Sequence, residues 1–133
     1  MYLTAKNYAR IFGIVFVAVG IAGFLVTGWS GFAATEGRLL LLFEVNPLHN
    51  IVHLLLGAVY LIGARSSEEG ARVVVTVLSL AYLAVGVVGL FIIDTPANVV
   101  AVNTADNLLH LGTGLLGLAV VAMSARQAKA VTA

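Results

Sequence analysis

The sequence has no cysteine, only 2 prolines and few charged side chains. Without cysteine the chain cannot be a small disulfide-stabilised scaffold. Charged residues make up 10% of its 133 residues, whereas an ordinary soluble domain has about 25%. The 7 basic and 6 acidic side chains give a formal net charge of +1, which leaves no basic surplus for binding nucleic acid. These deficits exclude a soluble globular domain, a disordered chain and a nucleic-acid-binding protein.

What the sequence does have is apolar side chains, which make up 61% of the residues. A helix needs about 20 apolar residues to cross a hydrocarbon core about 30 Å thick. Four apolar runs reach or approach that length, at residues 7–27, 47–64, 72–93 and 104–124. They lack the polar alternation of a lipid-facing barrel strand. The sequence therefore predicts an all-α, polytopic membrane protein: a four transmembrane helix bundle forming a single transmembrane domain over residues 1–133.

Basic residues are concentrated before the first run, between the second and third, and after the fourth. The positive-inside rule assigns such places to the cytoplasm. Both termini are therefore predicted to be cytoplasmic, in a multi-pass protein of the cell's inner (plasma) membrane. Glu68 and Glu69 are expected in a solvated cytoplasmic turn, and residues 38–44 in a short amphipathic turn at the outer interface or over the bundle mouth. The basic residues concerned are Lys6, Arg10, Arg65, Arg72, Arg126 and Lys129.

An internal repeat relates the two halves of the chain. Residues 18–23 (AVGIAG) match residues 84–89 (AVGVVG) at an offset of 66. A second motif, Asn-x3-Asn-x2-His-x3-Gly, occurs in runs two and four at an offset of 57. Two parallel helical-hairpin repeats, about 1–65 and 66–133, are therefore predicted, related by a pseudo-two-fold axis along the membrane normal. The motif residues are Asn46, Asn50, His53 and Gly57 in the first copy, and Asn103, Asn107, His110 and Gly114 in the second.

The motif places its polar side chains on one narrow helix face, because successive residues are 100° apart. His49 borders that face. Asn46, followed by Pro47, and Asn103 are expected to cap helix starts. His53 and its counterpart in the other repeat should lie about 10 Å below the helix start, inside the hydrocarbon. Polar groups at that depth are costly against lipid, so the face should point into the bundle.

Three interpretations of this polar cluster remain open. The Asn and His side chains can hydrogen-bond between helices and fix their packing, with no cofactor. Alternatively, His49, His53, Asp106 and His110 can hold a transition-metal ion, or His53 and His110 can be axial ligands of a haem or another tetrapyrrole. Neutral histidines can also relay protons or line a small-solute path. The sequence has no nucleophile–base motif, phosphate loop or metalloprotease motif, so an enzyme is not expected.

A thin bundle of four helices leaves much apolar surface outside, which lipid or protein can cover. The leading hypothesis is therefore a structural or accessory membrane protein that contacts the lipid bilayer and acts as a homo-oligomer or in a larger membrane complex. Cofactor binding at the histidines and a small channel or transporter are the two alternatives.

Residues 43–57 (FEVNPLHNIVHLLLG) and 106–117 (DNLLHLGTGLLG) resemble domain-of-unknown-function family 4383, a group of small four-span bacterial and archaeal membrane proteins. The resemblance extends over essentially the whole chain. It implies a polytopic inner-membrane protein whose activity is unassigned, and it brings no catalytic residues to transfer.

Overall fold

Four long helices build the fold, as the sequence predicts. The computed structural model describes residues 4–132, apart from the side chains of residues 129, 131 and 132. Each helix has a segment long and apolar enough to cross a membrane. The chain is therefore a multi-pass membrane protein whose apolar helices contact the lipid bilayer. The helices are α1 (Ala5–Thr27), α2 (Pro47–Arg65), α3 (Glu68–Ile92) and α4 (Thr104–Thr132).

The helix starts carry side-chain caps that satisfy free backbone amides. The Thr4 side chain accepts from the amide of Asn7, and the Asn46 side chain accepts from the amide of His49. Ser67 accepts in the same way from Gly70. Because Ser67 supplies this cap, α3 starts four residues earlier than the hydropathy pattern predicts.

The expectation of a solvated turn at Glu68 and Glu69 is wrong. Both residues belong to the first turn of α3, where carboxylates interact favourably with the helix dipole. Glu68 Oε1 accepts hydrogen bonds of 2.8 Å from the Ala5 amide and 2.8 Å from the Ser124 hydroxyl. One partly buried carboxylate therefore joins the ends of α1, α3 and α4.

The helices pack closely as two hairpins, α1 with α2 and α3 with α4. A Cβ atom built on Gly20 or Gly86 would lie 2.8 Å from Leu54 or Leu111 respectively, which shows that these glycines permit the close approach. The same contacts recur in both hairpins at the offsets of the sequence repeat. The matching contacts are Gly20–Leu54 with Gly86–Leu111, Gly23–Asn50 with Gly89–Asn107, and Val17–Gly57 with Leu83–Gly114.

The segment between α1 and α2 forms a small β-hairpin, so the expectation of an amphipathic turn is wrong. Strands β1 (Arg38–Leu40) and β2 (Phe43–Val45) pair antiparallel around a two-residue turn. Leu41 in this turn has φ +60°, a left-handed conformation. Pairing satisfies backbone groups that a single short turn would leave open. The Arg38 guanidinium donates to the Val26 carbonyl at 3.2 Å and joins β1 to the end of α1.

Aromatic rings fill the centre of the bundle beneath the polar motif residues. Tyr8 stacks on Phe12 at a centroid distance of 4.2 Å. Phe16 lies 5.6 Å from Tyr60 and 5.3 Å from Tyr82. These rings connect α1, α2 and α3 and form an apolar floor under the histidines.

Candidate metal centre

The three histidines of the chain meet inside the bundle. His49 and His53 lie on successive turns of α2, and His110 lies in the second turn of α4. One ring nitrogen from each falls within 4.8 Å of the others. His49 Nε2 and His53 Nε2 are 3.2 Å apart. The side chains are only 3%, 7% and 5% exposed, so the cluster is buried between the two hairpins.

A backbone carbonyl orients the His49 ring. His49 Nδ1 lies 2.9 Å from the carbonyl oxygen of Val100, in the loop before α4. Because a carbonyl only accepts, Nδ1 carries the proton, and Nε2 presents its lone pair towards His53. Metal-binding histidines are commonly held in this way by a hydrogen bond from the second nitrogen.

The other two rings are enclosed by aromatic side chains. Phe16 lies 5.5 Å from His53, and Tyr82 meets His110 edge-on at 4.9 Å. Nδ1 of His53 and Nδ1 of His110 are buried and have no hydrogen-bond partner in the part of the chain that the structure describes. Buried polar atoms are paired in most proteins, so two unpaired nitrogens in one cluster need an explanation.

Two clefts lead from the cluster towards the sides of the bundle. One, of about 220 Å³, lies between α2 and α3, and the other, of about 140 Å³, lies between α1, α4 and the β-hairpin. His53, Tyr82 and His110 line both. Under the repeat offsets, each cleft is the counterpart of the other: His49 of the first corresponds to Asp106 of the second.

Asp106, the fourth predicted metal ligand, is not a member of the three-histidine group. Its Oδ2 accepts from the Asn103 amide at 3.1 Å, and its own amide donates to Asn103 Oδ1 at 3.0 Å. This reciprocal capping arrangement accounts for both residues at the start of α4. Asp106 still lines the second cleft beside His53 and His110.

Within the part of the chain that the structure describes, no hydrogen bond joins the asparagine side chains of the polar motif to the histidine rings. Asn46 Nδ2 donates to the carbonyls of Ala34 and Val99, at 2.9 and 2.8 Å, and so joins the two outer loops. Asn50 Nδ2 donates to Thr27 Oγ1 at 2.9 Å, within its own hairpin. Neither amide atom of Asn107 has a partner among the described residues.

The remaining motif residues have packing roles. Val17 packs against Gly57, and Leu83 packs against Gly114, each within its own hairpin. The predicted polar cluster therefore divides into separate parts: asparagines and glycines join helices and loops, and the histidines meet one another.

A family model described as "Domain of unknown function (DUF4383)" matches residues 6–123. The chain belongs to the DUF4383 family. The match includes the three histidines and most of all four helices, and it confirms the resemblance seen in the sequence. No curated protein and no solved structure matches the chain. Membership of the DUF4383 family assigns no activity to the chain.

The clefts beside His53 and His110 are small compared with a tetrapyrrole. Pockets for ligands of drug size occupy about 300–1,000 Å³, whereas the two clefts measure about 220 and 140 Å³. A single metal ion needs no such space.

Proposed function

We propose that this DUF4383 protein binds a first-row transition-metal ion through His49, His53 and His110. The observation that carries the proposal is the distance of 3.2 Å between the first two Nε2 atoms. In a tetrahedral site with metal–nitrogen bonds of about 2.0–2.1 Å, neighbouring ligand atoms are about 3.3–3.4 Å apart. The third nitrogen lies within 4.8 Å, so metal binding would require the His110 ring to approach by at most about 1.5 Å.

The donor set indicates the class of metal. Imidazole suits zinc, copper, iron and nickel, whereas magnesium and calcium prefer oxygen ligands. Three protein ligands leave a fourth coordination position for water or a small ligand. Asp106 lines the adjoining cleft, where its carboxylate offsets part of the charge that a metal ion would bring into the membrane.

A purely structural cluster is less well supported. Hydrogen bonds between the rings account for the two Nε2 atoms of α2, but leave Nδ1 of His53 and of His110 unpaired. Each unpaired buried group costs about 1–3 kcal/mol. A metal ion held by the two Nε2 atoms would leave Nδ1 of His53 unpaired as well, so this cost does not separate the two interpretations. What packing alone does not require is that ring nitrogens of all three histidines lie within 4.8 Å of one another.

We place the site in the outer half of the inner membrane, with both termini in the cytoplasm. The support for this orientation is the basic residues that flank the cytoplasmic helix ends. The proposed role is binding and not catalysis. We also propose that the protein acts as a homo-oligomer or as an accessory subunit of a larger membrane complex. Side chains such as Leu25 and Phe91, 85% and 78% exposed, offer surface for lipid or a partner helix.

Metal binding can be tested cleanly because the chain contains only 3 histidines, and all belong to the cluster. The protein is purified in mild detergent with a histidine-free affinity tag and stripped with a chelator. It is then incubated with Zn²⁺, Cu²⁺ or Ni²⁺ over a series of concentrations until the bound metal, counted by mass spectrometry, no longer changes. We expect one ion per chain, and at least a 100-fold loss of affinity in His53→Gln.

The matched control is Asp94→Asn, which removes a charge outside the cluster and should leave the affinity unchanged. Absence of stoichiometric binding, or equal binding by His53→Gln at unchanged helix content, would refute the proposal. Proton flux through metal-free liposomes that disappears in His53→Gln would favour the relay hypothesis instead. Native mass spectrometry of the same preparation reports the oligomeric state.

A further inference from the structure

A groove of about 670 Å³ runs along α3 and α4 at the opposite end of the bundle from the histidines. Its position places it outside the proposed metal site. Charged side chains stand at one end of the groove, and small or apolar side chains form the rest of its wall. The residues that matter here are Glu69, Arg72, Val73, Val77, Val121 and Ala125.

Arg72 is the residue of this groove whose hydrogen bonding is incomplete. Its Nη1 atom is buried and has no hydrogen-bond partner in the described residues 4–132. Glu69 lies three residues earlier on α3 and also lines the groove, yet within the same described part no ion pair connects the two side chains. Nη1 itself is enclosed by protein, but Arg72 also lines the groove and is half-buried, so its other guanidinium nitrogens offer donors to an acceptor of suitable charge there.

Arg72 stands near the start of the apolar helix α3, where a membrane-spanning helix meets the lipid headgroups. It lies four residues after the first residue of α3, which is about 6 Å along the helix axis. From there the valines continue towards the centre of the membrane. The groove therefore presents, in order along the membrane normal, a carboxylate, a guanidinium and an apolar channel.

We propose that this groove binds one phospholipid whose headgroup carries both a phosphate and a primary ammonium group, as in phosphatidylethanolamine. The phosphate accepts from the Arg72 guanidinium, which matches its geometry. The ammonium donates to the Glu69 carboxylate, and an acyl chain lies along Val73, Val77 and Val121. A headgroup that carries only a phosphate would place its negative charge near the Glu69 carboxylate with no cation between them. A quaternary ammonium has no N–H group and could not donate a hydrogen bond to Glu69.

The test uses full-length protein, delipidated in detergent and examined by native mass spectrometry. Phosphatidylethanolamine, phosphatidylglycerol or phosphatidylcholine is added at equal concentration. We expect one tightly bound lipid per chain, with phosphatidylethanolamine preferred. Arg72→Gln should weaken its binding about tenfold, the size of one charge-assisted hydrogen bond. Glu69→Gln should abolish the preference over phosphatidylglycerol.

The matched control is Arg126→Gln, which removes a guanidinium charge from an exposed position on α4, at the same end of the bundle as Arg72. It should bind phosphatidylethanolamine like the wild type. Arg72→Lys keeps a cation at the site and should recover part of the binding, which separates loss of the contact from loss of the fold. Equal binding of all three lipids, or equal behaviour of Arg72→Gln and Arg126→Gln, would overturn the proposal. So would a lipid-free dimer that dissociates in Arg72→Gln, since a second copy would then fill the groove. Failure of metal binding leaves this result unaffected.

Discussion

In the described part of the chain, Asn107 lacks the hydroxyl hydrogen-bond partner that its counterpart Asn50 has. Supplying such a partner should raise the free energy of unfolding of the protein. In the first hairpin, the Asn50 amide donates to Thr27 Oγ1 at 2.9 Å, and both residues are buried. Asn107 is equally buried, at 0% exposure, but neither of its amide atoms has a partner among the described residues. At the repeat offset of 66, the position of Thr27 is occupied by Ile93. We therefore expect Ile93→Thr to stabilise the protein.

Two free energies bound the expected stabilisation by Ile93→Thr: the cost of an unpaired buried amide and the strength of a hydrogen bond between membrane helices. A buried amide without a partner costs about 1–3 kcal/mol. Measured hydrogen bonds between membrane helices average about 0.6 kcal/mol, with a maximum of about 1.7. Ile93 is half-buried beside the outer loops, so the loss of its apolar contacts offsets part of this gain. A net stabilisation of about 0.5–1 kcal/mol is therefore expected.

The assay is reversible unfolding in mixed micelles with increasing denaturing detergent, followed by far-ultraviolet circular dichroism. Thr27→Val is the mirror experiment and should destabilise by about 1 kcal/mol, because it leaves the Asn50 amide unpaired. A double-mutant cycle completes the design: Ile93→Thr should gain nothing when Asn107 is replaced by Leu. If Ile93→Thr is neutral or destabilising while Thr27→Val behaves as expected, the second hairpin does not pack like the first, and the reasoning fails.

Two further predictions concern packing and the cytoplasmic end. Gly23→Ala should destabilise by about 1–3 kcal/mol in the same assay, since its Cβ would collide with the Asn50 amide. The control is Gly112→Ala. The added methyl group has open space around it, so this substitution should not lower the free energy of unfolding. Glu68→Ala removes the acceptor shared by the Ala5 amide and the Ser124 hydroxyl, and should raise the hydrogen-exchange rate of the Ala5 amide several-fold. Unchanged exchange there would show that this carboxylate does not hold the start of α1.

The helices could be predicted from the sequence because hydropathy and caps act locally. The start of α2 is a clear example: Asn46 caps the first turn, and Pro47 occupies a position that needs no amide partner. The β-hairpin could not be predicted in the same way. Residues 39–43 form an apolar run without a turn residue such as glycine or asparagine, and Leu41 adopts positive φ without either.

The candidate site was only partly visible in the sequence. Helical periodicity places His49 beside His53, and the repeat brings His110 to the same depth. Sequence reasoning missed the Val100 carbonyl that orients His49, because a backbone group in a loop has no sequence signature. It also missed Phe16 and Tyr82, which enclose the rings. The repeat offset of 66 relates these two positions and was the signal that would have paired them.

The closed outer end of the bundle has a consequence for how metal would be acquired. The β-hairpin lies over one cleft, and the loop that contains Val100 lies against His49. An ion would have to pass these segments or cross apolar cleft walls, so we expect a long residence time and slow exchange with ions in solution. Metal content would then be decided mainly while the chain inserts and folds. Cells starved of metal during synthesis should yield empty protein that fills only slowly afterwards.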